Sequence, residues 1–172
     1  MENRYVETVQ RMDKLQWIRR ILQRRVTEEL SLHGGQLHVL EYIHRYPGCT
    51  QVEIAETLLI SPSSIAQSTK RMQRDGLLEK RMTDDNQRCK RLSLTQKGEQ
   101  VAQSCRKGFE EIDESLFEGI TDEEIAVLES VVGRLLYKAA SRASLDVENM
   151  DFFSFMKLKH QWHHSQEEKE KC

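Results

Sequence analysis

The amino-acid sequence predicts a mainly α-helical fold that carries one small β-hairpin. Only eight Gly and two Pro occur in 172 residues, too few for the many tight turns of a sandwich or barrel. Apolar residues recur at steps of three or four along most of the chain, and this period gives way to short extended segments after Gly76. The length suits one domain with an appendage and can enclose a hydrophobic core.

The first thirty residues predict a long helix, which Gly34-Gly35 interrupts. Its apolar stripe comprises Val9, Met12, Leu15, Ile18, Leu22 and Val26. Because such a helix offers more apolar surface than one edge of a domain needs, we expect it to pack against another helix or a second subunit.

Two short helices follow. The first is predicted from Gln36 to Arg45, and Pro47-Gly48 ends it. Thr50 and Glu53 then form a capping box, in which each side chain binds the backbone amide of the other. The apolar positions of the helix that this box opens are Val52, Ala55, Leu58 and Leu59.

Ser61-Pro62 predicts the start of the next helix, with Ser as the N-cap and Pro at the first helical position. This helix should run to about Arg74, where Asp75-Gly76 closes it. Its inward positions are Ile65, Thr69 and Met72. Two short helices joined by so few residues form a helix-turn-helix pattern.

A β-hairpin is predicted after the helix-turn-helix. Leu77–Met82 and Cys89–Leu94 have β potential, and the polar residues 83–88 between them form the tip. A hairpin in this position is the wing of a winged helix.

Two long helices complete the folded part. Thr95 caps the first, and a second capping box, at Thr121 and Glu124, opens the other. The apolar stripe of the last helix has nearly coiled-coil spacing, which favours a partner helix. The two stripes are Val101, Cys105, Phe109, Ile112 and Leu116, then Ile125, Leu128, Val132, Leu135 and Ala139.

The sequence thus predicts a winged helix-turn-helix lobe at residues 36–98. Residues 1–30 and 99–143 form a helical dimerisation region with long N- and C-terminal helices. Residues 144–172 form a C-terminal tail with a short amphipathic helix, whose apolar positions are Phe152, Phe155, Leu158 and Trp162.

This order of elements resembles the MarR family of bacterial transcription regulators. The strings that carry the resemblance are Thr50–Ala55, Ser61–Ile65, Asp75–Leu78 and Leu94–Gly98, and the likeness covers about residues 5–143. It implies a homodimeric, DNA-binding regulator that responds to small aromatic or phenolic ligands. The wing tip departs from the family's common Asp-x-Arg, since this chain has Asn86-Gln87-Arg88 there.

The outward face of the predicted recognition helix suits the DNA major groove, because its hydroxyl, amide and guanidinium groups can meet base edges and phosphates. Residues 61–91 hold eight Lys and Arg against four acidic residues, in a chain of net charge −2. The competing interpretation is a solvated basic helix face. The DNA-contacting candidates are Ser61, Ser63, Ser64, Gln67, Ser68, Lys70, Arg71, Arg74, Arg88 and Lys90.

We therefore predict a sequence-specific regulator that binds a pseudo-palindromic operator as a homodimer and acts as a ligand-responsive repressor. By resemblance, an inducer would occupy a cleft between the dimer helices and the winged lobe. The candidate ligand-binding residues are Trp17, His38 and Tyr42, although aromatic residues on helix faces are more often core.

The alternatives are regulators of the same fold with another signal, or a winged helix that binds protein instead of DNA. His160, His163, His164 and Cys172 could bind a metal, and Cys49 or Cys89 could sense oxidants. We expect no cofactor and no metal site. An enzyme is not expected, because no Gly-rich phosphate loop, nucleophile elbow or HExxH string occurs. Without a signal peptide or membrane span, we expect a cytoplasmic protein.

Overall fold

The computed structural model of the protein describes residues 4–33, 35–82, 90–146, 150, 153 and 154, with the side chain of Met82 left out. It confirms the mainly α-helical fold with one antiparallel hairpin. The elements are α1 Arg4–Glu29, α2 Gln36–Arg45, α3 Gln51–Leu58, α4 Pro62–Arg74, β1 Leu78–Met82, β2 Lys90–Leu94, α5 Gln96–Phe117 and α6 Asp122–Ala143. Within the predicted amphipathic tail helix the structure describes Phe153 and Ser154, which are helical, whereas its four predicted apolar positions and the hairpin tip lie outside the described residues.

Both predicted capping boxes are present, so the starts of α3 and α6 were read correctly from the sequence. The Glu53 amide donates to Thr50 Oγ1 at 3.2 Å, and the Thr50 amide donates to Glu53 Oε2 at 2.6 Å. Thr121 and Glu124 repeat the arrangement at 3.3 and 3.0 Å. These bonds satisfy amides that have no partner inside the helix.

One of the apolar positions predicted for α3 does not face the core. Val52 is 60% exposed, whereas Ile54, which the predicted set omits, is fully buried. In a helix of eight residues two apolar registers fit the sequence equally well. The structure selects the register in which Ile54, Ala55 and Leu58 face the core and Val52 faces solvent.

The main hydrophobic core lies inside the winged lobe, between α2, α3, α4 and the hairpin. Its fully buried side chains include Leu40, Ile43, Ile54, Met72 and Leu92. Burial of apolar surface contributes about 25 cal/mol for each Å². This cluster is therefore the principal source of stability in the lobe.

An isolated β-bridge between Cys49 and Leu92 joins the turn after α2 to the hairpin. Gly48 N donates to Leu92 O and Leu92 N donates to Cys49 O, each at 2.8 Å. Arg91 Nη1 also donates to Gly48 O at 3.1 Å. These bonds fix β2 to the end of α2, which a hairpin with two strands alone would not achieve.

Helices α1 and α5 pack against each other outside the lobe. The Arg19 guanidinium donates to both carboxylate oxygens of Asp113 at 2.5 Å. These hydrogen bonds lower the pKa of Asp113 and raise the pKa of Arg19. The bidentate pair therefore fixes the relative rotation of α1 and α5.

Helix α6 projects from the rest of the chain with a largely uncovered surface. Of its residues, Ala140 alone is buried, and α1 has no buried residue. Both helices expose large apolar side chains, among them Leu15 and Ile18 on α1 and Leu135 and Leu136 on α6. None of the helices in the described part of the chain is both long and apolar enough to cross a membrane.

Candidate nucleic-acid interface

Helix α4 starts in a cluster of serine hydroxyls, as its sequence predicts. Ser61 is the N-cap, and its Oγ accepts from the Ser64 amide at 3.2 Å. The same hydroxyl donates to Ser64 Oγ at 2.8 Å and lies 3.0 Å from Ser63 Oγ. Free amides and short hydroxyls at a helix N-terminus suit an approaching phosphate.

The opposite face of α4 is anchored in the core. Ile65, Thr69 and Met72 are all buried, as predicted. Thr69 Oγ1 donates to Ile65 O at 2.8 Å and accepts from Gln51 Nε2 in a hydrogen bond that joins α3 to α4. Gln51 was not identified from the sequence, because a partner eighteen residues away leaves no local signal. The anchored face leaves α4 with one orientation in the lobe.

The outward face of α4 carries most of the predicted DNA-contacting side chains. Ser68 is half-buried, and its Oγ lies 4.0 Å from Met72 Sδ. Arg74 keeps 75% of its side chain exposed while its Nε lies 3.4 Å from Asp75 Oδ1. The predicted residues that are exposed are Ser61, Ser63, Ser64, Gln67, Lys70, Arg71, Arg74 and Lys90. Arg88 lies outside the described residues.

The hairpin adds positive charge beside α4. Burial and the neighbouring charge of Lys90 lower the pKa of Lys80. Arg81 is held by Glu79 at 2.7 Å, and Arg81 and Arg91 are paired across the two strands. Lys80 and Lys90 repel each other, and so do Arg81 and Arg91. A polyanion beside the hairpin would relieve that repulsion.

The comparisons with known proteins agree with this geometry. The MarR family model matches residues 30–88, which contain α2, α3, α4 and β1. The HTH-type transcriptional regulator BilQ of Clostridium symbiosum (strain WAL-14163) is 30% identical over 131 residues, which are 76% of this chain and 88% of that protein. The chain belongs to the MarR family. It is accordingly a DNA-binding transcriptional regulator and not an enzyme.

Other proteins are similar to this MarR-family chain in sequence or in fold. The uncharacterized HTH-type transcriptional regulator YybA of Bacillus subtilis (strain 168) is 28% identical over 108 residues, covering 63% of this chain and 72% of that protein. The YusO protein of Bacillus subtilis matches with a TM-score of 0.73 at 20% identity, over 80% of this chain and 98% of that one. A mutant of S. aureus MepR bound to an oligodeoxyribonucleotide matches with a TM-score of 0.66 at 21% identity, over 80% of this chain and 99% of that one.

A second feature of this MarR-family chain is a cavity of about 1340 Å³ between α1, α2 and α5. Its lining is cationic, with five arginines opposed by Glu28 and Glu41. Within that lining, Arg19 is paired with Asp113 and Arg24 with Glu28. The five arginines are Arg19, Arg20, Arg24, Arg45 and Arg106.

The structure separates the three predicted ligand-binding residues. His38 lines the cavity, with its Nδ1 3.8 Å from Glu41 Oε2. Trp17 is 65% exposed on α1 and lies beneath the Arg20 guanidinium instead, 5.8 Å from it. Tyr42 is buried, and its hydroxyl accepts from Thr57 Oγ1 at 3.3 Å. Neither aromatic residue is among the lining residues of the cavity.

The described cysteines are poorly suited to oxidant sensing. Cys49 and Cys105 are buried free thiols. Burial, with Glu53 near Cys49 and Glu41 near Cys105, raises the pKa of each thiol to about 11. A reactive thiolate requires exposure and a lowered pKa, so neither residue supports the redox alternative. Cys89 lies outside the described residues.

Metal binding also finds no support within the described residues. No group of three or more His, Cys, Asp or Glu side chains there is placed to hold a metal ion. The predicted alternative set at His160, His163, His164 and Cys172 lies beyond the described part of the chain.

Proposed function

We propose that this regulator acts as a homodimer that binds a pseudo-palindromic operator and releases it on binding a small ligand. The observation that carries the proposal is the division of α4 into a buried anchoring face and an exposed face of hydroxyl, amide and cationic groups. A helix held in this way can enter a major groove without changing its own packing. S. aureus MepR, which has the same fold, has been crystallised with DNA.

The argument for a dimer rests on the two terminal helices. Isolated apolar side chains are normal on a surface, but α1 and α6 expose rows of them. A second copy of the chain would bury both rows in one isologous interface. This assigns residues 1–30 and 99–143 to dimerisation, residues 36–98 to DNA binding and residues 144–172 to a separate tail.

The dimer in turn explains specificity. One recognition helix reaches a few base pairs, and each good bidentate contact contributes about 1–3 kcal/mol of discrimination. Two lobes related by a two-fold axis double the number of base pairs contacted. We expect their recognition helices to lie about 34–36 Å apart, one turn of the double helix.

Within each lobe we assign distinct roles to the exposed side chains of α4. Gln67 and Arg71 have the groups to read adenine and guanine edges, whereas Lys70 and Arg74 neutralise phosphates. The serines at the helix start allow close approach to the backbone. Lys90 and Arg88 of the hairpin would extend the contact to the flanking minor groove.

The cavity suggests how binding is controlled. Its cationic lining favours a small anion, and Leu37 and Phe109 provide apolar surface for an aromatic body. It lies between α1 and α5, assigned above to dimerisation, and α2 of the winged lobe. An occupant would therefore change the separation of the two lobes and so their fit to two half-sites. We propose further that the DNA-bound form represses transcription and that the ligand releases it.

The test is selection of bound sequences from random duplexes, followed by titration of the selected duplex with purified protein. We expect an inverted repeat and a salt-dependent affinity. Because both protomers lose the contact, Arg71→Ala should weaken operator binding by about 2–6 kcal/mol, which is about 30-fold or more. Lys107→Ala, an exposed cation on α5, is the matched control and should bind as the wild type does.

Two outcomes would reject the proposal. Selection that yields no preferred sequence at moderate salt would exclude a sequence-specific regulator. Equal operator affinity for the Arg71 variant and the wild type would exclude this face of α4 as the surface that reads the operator.

A further inference from the structure

The chain returns to the winged lobe after α6, and Phe153 packs against α2. Phe153 is 7% exposed, and its ring centroid lies 5.3 Å from that of Tyr42 in an edge-to-face arrangement. Tyr46 lies 6.3 Å away and the Arg45 guanidinium 6.0 Å from the ring. Apolar burial, aromatic contact and a cation over the ring all hold Phe153 in this position.

The same ring is part of the cavity wall. Phe153 lines the cavity together with His38 and Arg45 of α2 and Phe109 of α5. Among the described lining residues it is the one contributed by the chain beyond α6. The ring also contacts Tyr42, whose hydroxyl accepts from Thr57 of α3, and it lies near Tyr46. Neither tyrosine is among the lining residues of the cavity.

This wall is independent of the elements that define the fold. The DNA-bound MepR mutant aligns over 99% of its own length with 80% of this chain, so a fifth of this chain has no counterpart there. The elements α1 to α6 and the hairpin account for residues 4–143. Phe153 lies after them, is itself helical, and belongs to the same hydrophobic core cluster as Tyr42.

We propose that Phe153 is a specificity-determining residue, an aromatic wall that sets the size of the anion admitted to the cavity. The inference rests on the proposed ligand response. With the ring in place, an aromatic anion bound at Arg45 cannot extend to Tyr42 and Tyr46. Without it, the cavity continues to those two rings and accommodates a larger ligand.

The experiment compares two probes, benzoate and anilinonaphthalene sulfonate, with the full chain and its variants. In Phe153→Ala, the Kd of the larger probe should fall about fivefold or more, while that of benzoate stays within about twofold of the wild-type value. Phe153→Leu keeps apolar bulk and should give a smaller gain. Phe117→Ala removes an aromatic ring that is not among the described lining residues and should leave both values unchanged.

Hydrogen exchange of residues 36–46 provides a second readout, and it should increase in Phe153→Ala because the cover of α2 is lost. Unchanged or weaker binding of the larger probe in that variant would overturn the proposal while leaving the ligand response intact. If neither probe binds the wild type or any variant, the ligand cavity itself is refuted, and this role of Phe153 with it.

Discussion

Replacement of Gly98 by Ala should destabilise the winged lobe, although the same change favours most helices. Gly98 lies in the first turn of α5 and is buried. A Cβ there would lie 2.0 Å from the Leu77 carbonyl oxygen and 3.3 Å from Leu94 Cβ. The carbonyl would have to retreat by more than an ångström to reach ordinary contact.

Leu77 cannot make that movement freely, because both of its backbone polar groups are bonded. Its amide donates to Met72 O of α4 at 2.9 Å, and its carbonyl accepts from Thr95 N at 3.1 Å. Overpacking typically costs about 1–3 kcal/mol, and a backbone obstacle places this site at the upper end. The higher helix propensity of Ala than of Gly offsets about 1 kcal/mol of that cost. The net loss is about 2 kcal/mol, or about 4–8 °C in Tm.

Thermal and urea unfolding followed by circular dichroism measure this loss, at one protein concentration for all variants. Gly108→Ala is an intermediate case, because its Cβ would lie 2.7 Å from the side-chain Cγ1 of Val26 instead of a carbonyl. Gly133→Ala is the control, since nothing lies within 4 Å of its Cβ position and propensity alone should raise stability. A Gly98 variant that unfolds at or above the wild-type temperature would refute the argument.

Three further predictions concern the ion pair, the thiols and the dimer. Asp113→Asn should cost less than about 1 kcal/mol at neutral pH, because the paired side chains are 40% exposed. Since the folded-state pKa of Asp113 is lowered, the difference in stability between wild type and variant should shrink as the pH falls from about 3.9 through that lower pKa. Equal unfolding curves at pH 7 would contradict the predicted cost. Peptide mapping after alkylation of the native protein at pH 8 should find Cys49 and Cys105 unmodified, whereas rapid labelling of either would show that burial does not protect it. Leu135→Glu should shift the sedimentation coefficient toward the monomer, while Ser130→Glu, on the opposite face of α6, should not. Unchanged association of the Leu135 variant would exclude this face from the dimer.

Local patterns in the sequence predicted the helices and strands well, because their signals are short in range. The Thr50 and Thr121 capping boxes and the Ser61-Pro62 start each depend on residues within one turn. The Val52 error marks the limit of periodicity in a short helix, since only tertiary packing shows that Ile54 is the buried residue.

Contacts between distant residues could not be predicted in the same way. The Arg19–Asp113 pair spans 94 residues, and charges are frequent enough along α1 that no pattern singles it out. Phe153 was not predicted, because the helical spacing of the tail singles out Phe152 and Phe155 instead. Among the nine described candidates for DNA contact, by contrast, eight are exposed. For those on α4 the exposure follows from the inward stripe of the helix, so no knowledge of distant contacts was needed.

The β-bridge between Cys49 and Leu92 has a mechanical consequence. Its hydrogen bonds hold the hairpin at the end of α2, and packing in the core holds α2 against α4. In the proposed dimer, the two parts that would touch DNA therefore turn as a single body whenever α2 is displaced. A signal arriving at α2 would alter the distance and tilt between the paired lobes, but it would leave unchanged the bases that each lobe prefers.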